Sequence, residues 1–219
     1  MPADLHTHSE ASSDSTVSPA ERIELARTHE ITAVGMTDHT AVHPTLETRE
    51  TVRDGVRLIA GVELNCTVAD VRIDVLGHFV DPDGLREIVG PRTYDGSLTV
   101  DDGPDLDPAD VIGIIHDVGG TATLAHPGRY PIDLAELIPD LADEGLDGIE
   151  TTYAYDLAPV PGPLTPEDAM ASLAESHDLL PAGGSDCHGP DYHDGPFMGA
   201  VALPDEVVVG LRERSRTYR

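Results

Sequence analysis

Regular alternation between helix starts and short apolar runs is the feature that most limits how this chain of 219 residues can fold. Three segments share an N-cap residue, a proline at the first helical position and an acidic residue at the third. These segments are Ser18-Pro19-Ala20-Glu21, Asp107-Pro108-Ala109-Asp110 and Thr165-Pro166-Glu167-Asp168. The pattern predicts helices over 19–29, 108–118 and 166–177.

Apolar runs typical of strands lie between these helices. We predict strands over 2–5, 31–36, 57–63, 71–80, 121–125, 148–152 and 179–182, and further helices near 133–144 and 205–215. Strands that alternate with helices indicate a mostly parallel sheet with helices outside it, either open or closed into a barrel. We expect one α/β domain over 1–219, with a long acidic loop at 81–107.

The charge of the chain is extreme. It carries 41 acidic residues against 13 basic ones, and every basic residue is arginine, so the net charge is −28. The acids are spread among apolar periodic segments, which argues against a disordered tail. The composition resembles that of halophilic proteins, in which molar salt screens self-repulsion. It also argues against an extended nucleic-acid surface, which needs a basic stripe, although a local cationic pocket remains compatible with it.

Features of targeting and redox chemistry indicate the compartment. No apolar run reaches the ~18–20 residues of a membrane span, and the N-terminus lacks a signal-peptide pattern. The two cysteines, Cys66 and Cys187, are expected to be free thiols in a reducing environment. We therefore expect a cytoplasmic protein that does not contact a membrane.

Histidine and carboxylate side chains follow five of the predicted strands where each strand ends. They are His6 and His8, Asp38 and His39, Glu63, His126, and Asp186 with His188. In parallel β/α folds, catalytic groups gather at this edge of the sheet. One such histidine is more often an ordinary loop residue, but five strand ends together predict a site for several metal ions. Imidazole and carboxylate ligands without a thiolate favour Zn, Mn or Fe.

Five motifs in this order, "DLHTHS", "TDH", "GVE", "AHPGRY" and "GSDCHG", resemble the polymerase and histidinol phosphatase (PHP) family of metallohydrolases. The resemblance runs from residue 4 to about residue 189. It implies a distorted, TIM-like (β/α)7 barrel with two or three divalent ions at its mouth. It further implies that His6, His8, Glu63 and Asp186 hold one ion, that Glu63 and His126 hold a second, and that Asp14, His39 and His188 hold a third.

One position departs from the family pattern. Where the family usually places a metal-binding histidine before an apolar-Leu-Gly sequence, this chain has Asp74. His78 lies four residues further on and would replace it only if the strand shifted or bulged. We predict that Asp74 is the ligand, because an anionic oxygen still binds a metal and favours a harder ion.

The function implied by this set is hydrolysis of a phosphate ester by a metal-activated hydroxide. The expected catalytic residues are Glu63, Asp38 and Arg129. Glu63 would be shared between two metal ions, Asp38 would orient His39, and Arg129 would bind the substrate phosphate with its planar guanidinium. The motifs most resemble the stand-alone phosphoesterases of the family, which suggests a small phosphorylated molecule or a short nucleotide as substrate. The alternatives are a histidinol-phosphate phosphatase and a PHP module accessory to a DNA polymerase.

Overall fold

A computed structural model describes residues 2–89, 106–155, 167–190 and 197–216 of the chain. The strands are β1 Ala3–Thr7, β2 Ala33–Met36, β3 Glu50–Arg53, β4 Val56–Val68, β5 Val71–His78, β6 Thr121–Leu124, β7 Gly148–Tyr153 and β8 Leu180–Gly184. The helices are α1 Pro19–Thr28, α2 Pro82–Val89, α3 Pro108–Asp117, α4 Leu134–Asp143, α5 Glu167–Ser176 and α6 Asp205–Arg214.

Seven of the strands form a nearly closed barrel in the order β1-β2-β4-β5-β6-β7-β8. The segment that follows the last strand pairs with the first strand. The Asp186 amide donates a hydrogen bond to the His6 carbonyl at 2.8 Å, and Thr7 and Cys187 form an isolated parallel β-bridge. The predicted TIM-like α/β barrel is therefore confirmed, and the open sheet is excluded.

The barrel is distorted where β5 runs antiparallel to both of its neighbours, β4 and β6. The short strand β3, which sequence reasoning missed, pairs antiparallel with β4 outside the main order. Asp54 and Gly55 connect these two strands, and both have positive φ. An Asp-Gly pair of this kind is typical of a two-residue hairpin turn, so the sequence did carry a signal for β3.

Helix starts follow the predicted pattern where the structure describes them. Ser18 and Glu21 form a capping box at α1, and Asp107 and Asp110 form another at α3. The third predicted start, at 165–166, lies outside the described residues. The predicted loop at 81–107 is wrong in its first part, because residues 82–89 form α2 with Leu85 fully buried; residues 90–105 lie outside the described ranges.

The apolar core fills the barrel and the space beneath its helices. Strand residues such as Leu58 and Val75 are fully buried, and α3 packs Ile112 and Ile115 against the sheet. Cys66 and Cys187 are both buried free thiols, as predicted. Among the described helices, none has the length and apolar character needed to span a bilayer.

Candidate metal centre

All nine predicted metal ligands converge at one end of the barrel. They fall into four overlapping groups, and within each group the ligand atoms lie within 4.8 Å of one another. The groups are His8, Asp14, His39 and His188; His6, His126 and Asp186; His6, His8 and Glu63; and Glu63, Asp74 and His126. Residues that are far apart in the chain are thus brought together as candidates for one multinuclear site.

Glu63, buried within β4, lies at the middle of the cluster. Its Oε2 atom is 3.5 Å from His6 Nε2, 3.4 Å from His8 Nε2 and 3.0 Å from His39 Nδ1. Its Oε1 atom faces the other way and lies 3.3 Å from His126 Nε2. The two oxygens of one carboxylate therefore face two different sets of ligands.

The larger set, which we call the histidine half, comprises His6, His8, Asp14, His39, Asp186 and His188. Asp186 Oδ1 lies 3.3 Å from His6 Nε2 and 3.0 Å from His8 Nε2. Asp14 Oδ2 lies 3.3 Å from His39 Nε2 and 3.2 Å from His188 Nε2. Carboxylate oxygens thus lie between imidazole nitrogens throughout this half.

The smaller set, which we call the carboxylate half, comprises Asp74 and His126, with Glu63 shared between the two halves. Asp74 Oδ2 lies 3.8 Å from His126 Nε2, and the Asp74 side chain is 22% exposed. His78, the alternative to Asp74, belongs to none of the four groups found among the described residues. Its ring is fully buried and its Nε2 donates to the Leu5 carbonyl at 2.8 Å.

Three buried atoms at the centre test whether a metal fits. Atoms of opposite polarity lie 3.0–3.5 Å from His6 Nε2, His8 Nε2 and Glu63 Oε2, yet none of the three atoms makes a hydrogen bond of acceptable geometry, although buried polar atoms nearly always do. Each has a lone pair available for coordination when its ring or carboxyl is in the metal-binding state. Imidazole nitrogens and carboxylate oxygens without thiolates fit divalent Zn, Mn or Fe.

The pKa values of the candidate ligands are shifted by burial and by the charges of the neighbouring ligands. Burial, together with the nearby His188 and His39, lowers the pKa of His8 to about 3, so the ring is neutral. Burial opposes protonation of His39 as well, but Glu63 and Asp14 outweigh it and raise the pKa of His39 to about 11. Burial would raise the pKa of Glu63, yet His39 and His6 hold it well below its usual range. The negative potential that favours a proton here also favours a bound cation.

Glu150 is a functional candidate that sequence reasoning missed. It is fully buried in β7; His6 Nδ1 donates to its carboxylate at 3.2 Å and the His126 amide donates at 2.7 Å. With Nδ1 occupied in this way, the Nε2 atom of His6 is left to face the ligands. A glutamate inside a buried apolar strand was the available signal, since such a charge needs partners.

Asp38 acts on the centre through serines rather than by contacting the His39 ring. It accepts hydrogen bonds from Ser9 N at 2.6 Å, Ser9 Oγ at 2.7 Å and Ser12 Oγ at 3.0 Å. Ser12 Oγ in turn accepts from the His39 amide at 2.9 Å and lies 3.2 Å from His8 Nδ1. Asp38 therefore fixes the loop that follows β1, and reaches both histidines through Ser12.

A buried arginine, also missed from the sequence, supports the histidine half from behind. Arg22 of α1 is fully buried, and its guanidinium donates hydrogen bonds to the carbonyls of His8 and Cys187. It also lies 3.2 Å from Cys187 Sγ. Arg22 thus connects the segment carrying His6 and His8 to the segment carrying Asp186 and His188.

Arg129, the predicted phosphate-binding residue, lies at the edge of the centre. Its Nη1 is 3.2 Å from the Tyr153 hydroxyl and 3.4 Å from Asp186 Oδ2, and its side chain is 35% exposed. Tyr153 donates to the same Asp186 oxygen at 2.7 Å. The guanidinium is therefore held beside a candidate metal ligand while part of it faces solvent.

Two candidate ligands have a backbone conformation that is unfavourable for side-chain-bearing residues. The φ angles of His126 and Asp186 are 27° and 56°. Such conformations cost on the order of 1 kcal/mol or more each and concentrate at functional sites. In both residues the local strain accompanies a side chain directed into the cluster.

Comparison with known proteins identifies related sequences. The family model described as the PHP domain matches residues 4–144. A phosphoribosyl 1,2-cyclic phosphate 1,2-diphosphodiesterase of Eggerthella lenta is 37% identical over 84 residues, which are 38% of this chain and 29% of that protein. The 5′-3′ exoribonuclease Rnm of Salmonella typhimurium is 38% identical over 84 residues, 36% of this chain and 26% of that enzyme. The matches thus span less than a third of either relative.

Solved structures share the fold across nearly the whole chain. A protein from Bifidobacterium adolescentis, proposed to be a metal-dependent phosphoesterase, superposes with a TM-score of 0.73 at 19% identity, covering 97% of this chain and 96% of that one. An amidohydrolase from Chromobacterium violaceum gives a TM-score of 0.67 at 20% identity, covering 95% and 96%. At these identities the likeness concerns the fold alone.

Proposed function

The chain belongs to the PHP domain family, and on that premise we propose that it is a metal-dependent hydrolase of phosphate esters. We propose a small phosphorylated molecule or a short nucleotide as its substrate. The family model ends at residue 144, but Glu150, Asp186 and His188 of the candidate centre follow it. The proposed site therefore needs the later strands too, which supports treating the chain as one domain.

The observation that carries this proposal is the position of Glu63 between the two halves. One oxygen faces His6, His8 and His39, and the other faces His126. A carboxylate in this position can be shared by two cations a few ångströms apart. Two-metal sites of that kind are typical of enzymes that cleave phosphate esters.

We propose the assignment of residues to ions that the family resemblance implies. His6, His8, Glu63 and Asp186 would hold one ion; Glu63, Asp74 and His126 a second; and Asp14, His39 and His188 a third. The overlapping groups of neighbouring ligand atoms are compatible with this division. When bound, divalent ions supply charge neutralisation for phosphate oxygens and lower the pKa of water toward neutrality. We propose that two or three such ions of Zn, Mn or Fe are used.

Arg129 is proposed to bind the substrate phosphate. Tyr153 and Asp186 hold one of its terminal nitrogens, which limits the rotation of its planar fork. A guanidinium pre-oriented in this way binds two phosphate oxygens at once with little further loss of side-chain entropy. Among so many acidic residues, a cation beside the centre also offsets the repulsion of an anionic substrate.

The acidic surface supports a small substrate over a long nucleic acid. Binding an extended duplex needs cationic contacts along many phosphates, whereas the net charge here is −28. A phosphomonoester or short nucleotide presents only a few charges, which the metal ions and Arg129 can meet. The same features fit histidinol phosphate, so the substrates must be separated by assay.

The test is hydrolysis by protein reconstituted with Mn²⁺ or Zn²⁺. The panel contains an aryl phosphate, mononucleotides, a 5′-phosphorylated trinucleotide, histidinol phosphate and a 27-base-pair duplex. We expect turnover of a mononucleotide or the trinucleotide. His116→Ala is the control, because His116 pairs with Asp147 away from the cluster at 2.8 Å. Protein that binds at least two ions yet hydrolyses none of these esters would contradict the proposal.

A further inference from the structure

We propose that Tyr130 is a positioning residue for the carboxylate half, and that its hydroxyl makes Asp74 and His126 bind one ion together. The inference rests on the proposed function, because it takes these two side chains as metal ligands. Neither the sequence motifs nor the comparisons give Tyr130 a role.

The Tyr130 hydroxyl contacts both ligands of this half. It accepts a hydrogen bond from the Asp74 amide at 2.8 Å and lies 3.1 Å from His126 Nδ1. Its distance to Asp74 Oδ2 is 3.5 Å. A single oxygen atom thus joins β5 to the turn after β6, the two segments that carry the ligands.

The position of the proton on His126 determines which group donates and which accepts in the contact with Tyr130. His126 Nε2 faces Glu63 Oε1 at 3.3 Å, so metal binding through Nε2 requires the proton on Nδ1. The Tyr130 oxygen can accept hydrogen bonds from His126 Nδ1–H and from the Asp74 N–H at the same time, because a phenol oxygen has two lone pairs. Its own proton can then be directed toward Asp74 Oδ2, 3.5 Å away.

This arrangement has two consequences for binding. It selects the His126 tautomer whose Nε2 lone pair is free, and it fixes the backbone of Asp74 through the 2.8 Å hydrogen bond from the Asp74 amide. Partners of metal ligands typically change metal affinity by about 10–100-fold when removed. Removing only the Tyr130 hydroxyl should therefore weaken one binding step and leave the ions of the histidine half in place.

Two neighbouring tyrosines provide matched controls. The Tyr155 hydroxyl accepts from the Gly128 amide at 2.9 Å and lies 3.9 Å from Met170 Sδ, and neither residue is a ligand. The Tyr153 hydroxyl donates to Asp186 of the histidine half at 2.7 Å. Removal of the same hydroxyl group thus acts on one half, on the other half, or on no ligand.

The experiment is calorimetric titration of metal-free protein with Mn²⁺, together with thermal melting of the metal-free proteins. Asp74→Ala identifies the binding step of the carboxylate half. We expect Tyr130→Phe to weaken that same step by about 10–100-fold and to leave the other steps unchanged. Its metal-free melting temperature should fall no further than that of Tyr155→Phe, because each variant removes one acceptor of a backbone amide. Tyr155→Phe should match the unmodified protein in every binding step, and Tyr153→Phe should weaken a different step.

The outcomes separate this inference from the function on which it rests. If the unmodified protein binds fewer than two Mn²⁺ ions, the proposed metal centre itself fails, and the inference falls with it. If it binds two or more and Tyr130→Phe titrates identically, only the role of Tyr130 is overturned. A uniform loss across all steps, with a metal-free melting temperature well below that of Tyr155→Phe, would show a structural role instead and would also overturn it.

Discussion

The two halves of the candidate centre are built in different ways. The histidine half draws its side chains from the ends of β1, β2 and β8, which are neighbours at the barrel seam, and His6 and His8 are fully buried. The carboxylate half comes from β5 and the turn after β6, where neighbouring strands run antiparallel, and Asp74 is 22% exposed. The histidine half is rich in imidazole and runs from the buried pair His6 and His8 to an outer edge where His39 and Asp14 are 31% and 35% exposed, whereas the carboxylate half is richer in oxygen.

This difference implies that the two halves bind ions unequally. Burial strengthens electrostatic contacts with a cation, and imidazole ligands suit borderline ions such as Zn. Oxygen ligands suit harder ions such as Mn. We therefore expect an ion held by the fully buried His6 and His8 to be retained during chelation, and an ion held by the carboxylate half to exchange before it.

Loss of the shared ligand should have the largest effect, because it acts on both halves. In Glu63→Gln a neutral amide replaces the carboxylate, so both proposed ions would lose an anionic ligand. We expect turnover of an aryl phosphate to fall by about 10³-fold and two binding steps to weaken in Mn²⁺ titrations. Weakening of a single step would show that Glu63 belongs to one half only.

Exchange of the fourth-strand candidates should sharpen the comparison next. Asp74→Ala removes a ligand of the carboxylate half, so we expect one binding step to weaken by at least about 100-fold while the histidine half keeps its ion. His78→Ala removes a buried hydrogen bond to Leu5 instead, and should lower the free energy of unfolding by about 1–3 kcal/mol.

These two variants are measured for metal content and for urea denaturation. The reverse pattern, with metal lost from His78→Ala and retained in Asp74→Ala, would transfer the ligand to His78 and make this half an imidazole site.

A smaller effect is expected at the substrate side of the centre. Arg129→Ala removes the guanidinium beside Asp186, so the Michaelis constant for a phosphate monoester should rise about tenfold. Arg129→Lys keeps the charge but not the two-pronged guanidinium, so its Michaelis constant should lie between those of the unmodified protein and Arg129→Ala. Mn²⁺ titrations should change much less in both variants than in Tyr153→Phe, because Arg129 lies 3.4 Å from Asp186 Oδ2 whereas the Tyr153 hydroxyl lies 2.7 Å from it. A loss of metal affinity as large as in Tyr153→Phe would mean that Arg129 supports the histidine half rather than the substrate.

The smallest effect concerns the surface rather than the centre. Between 0.1 M and 1 M salt the Debye length falls from about 10 Å to about 3 Å, so repulsion among the acidic side chains is screened. We expect the melting temperature of metal-free protein to rise more steeply in KCl than in sucrose of equal osmolality, because sucrose stabilises the folded state by exclusion from its surface but does not screen charge. An unchanged melting temperature would contradict the halophilic interpretation.

Much of the fold could be predicted from the sequence, because helix caps and strand-end motifs are local sequence patterns. Capping boxes mark the starts of α1 and α3, and all nine predicted ligands gather at one end of the barrel. Each of them stands in a short motif near a strand, so its position follows from the strand itself.

The supporting residues were not predictable in the same way, because their contacts cross the fold. Glu150 reaches His6 from β7, Tyr130 reaches Asp74 from the turn after β6, and Arg22 reaches Cys187 from α1. Such contacts depend on which strands are neighbours and in which register. The antiparallel placement of β5 and the hairpin with β3 were not foreseen, so these neighbours could not be assigned.

The closure of β8 against β1 links the centre to the breathing of the barrel. Ser185 donates to Asp4 across 181 positions of the chain, and bringing such distant segments together costs about 4–5 kcal/mol of loop entropy. His6 and Asp186 are in contact only when β8 is closed against β1, so a partly folded chain could not hold a cation between them. A bound ion would therefore stabilise the closed barrel and lower the frequency with which this seam opens. The rate of ion exchange from the histidine half should therefore report how often the barrel opens.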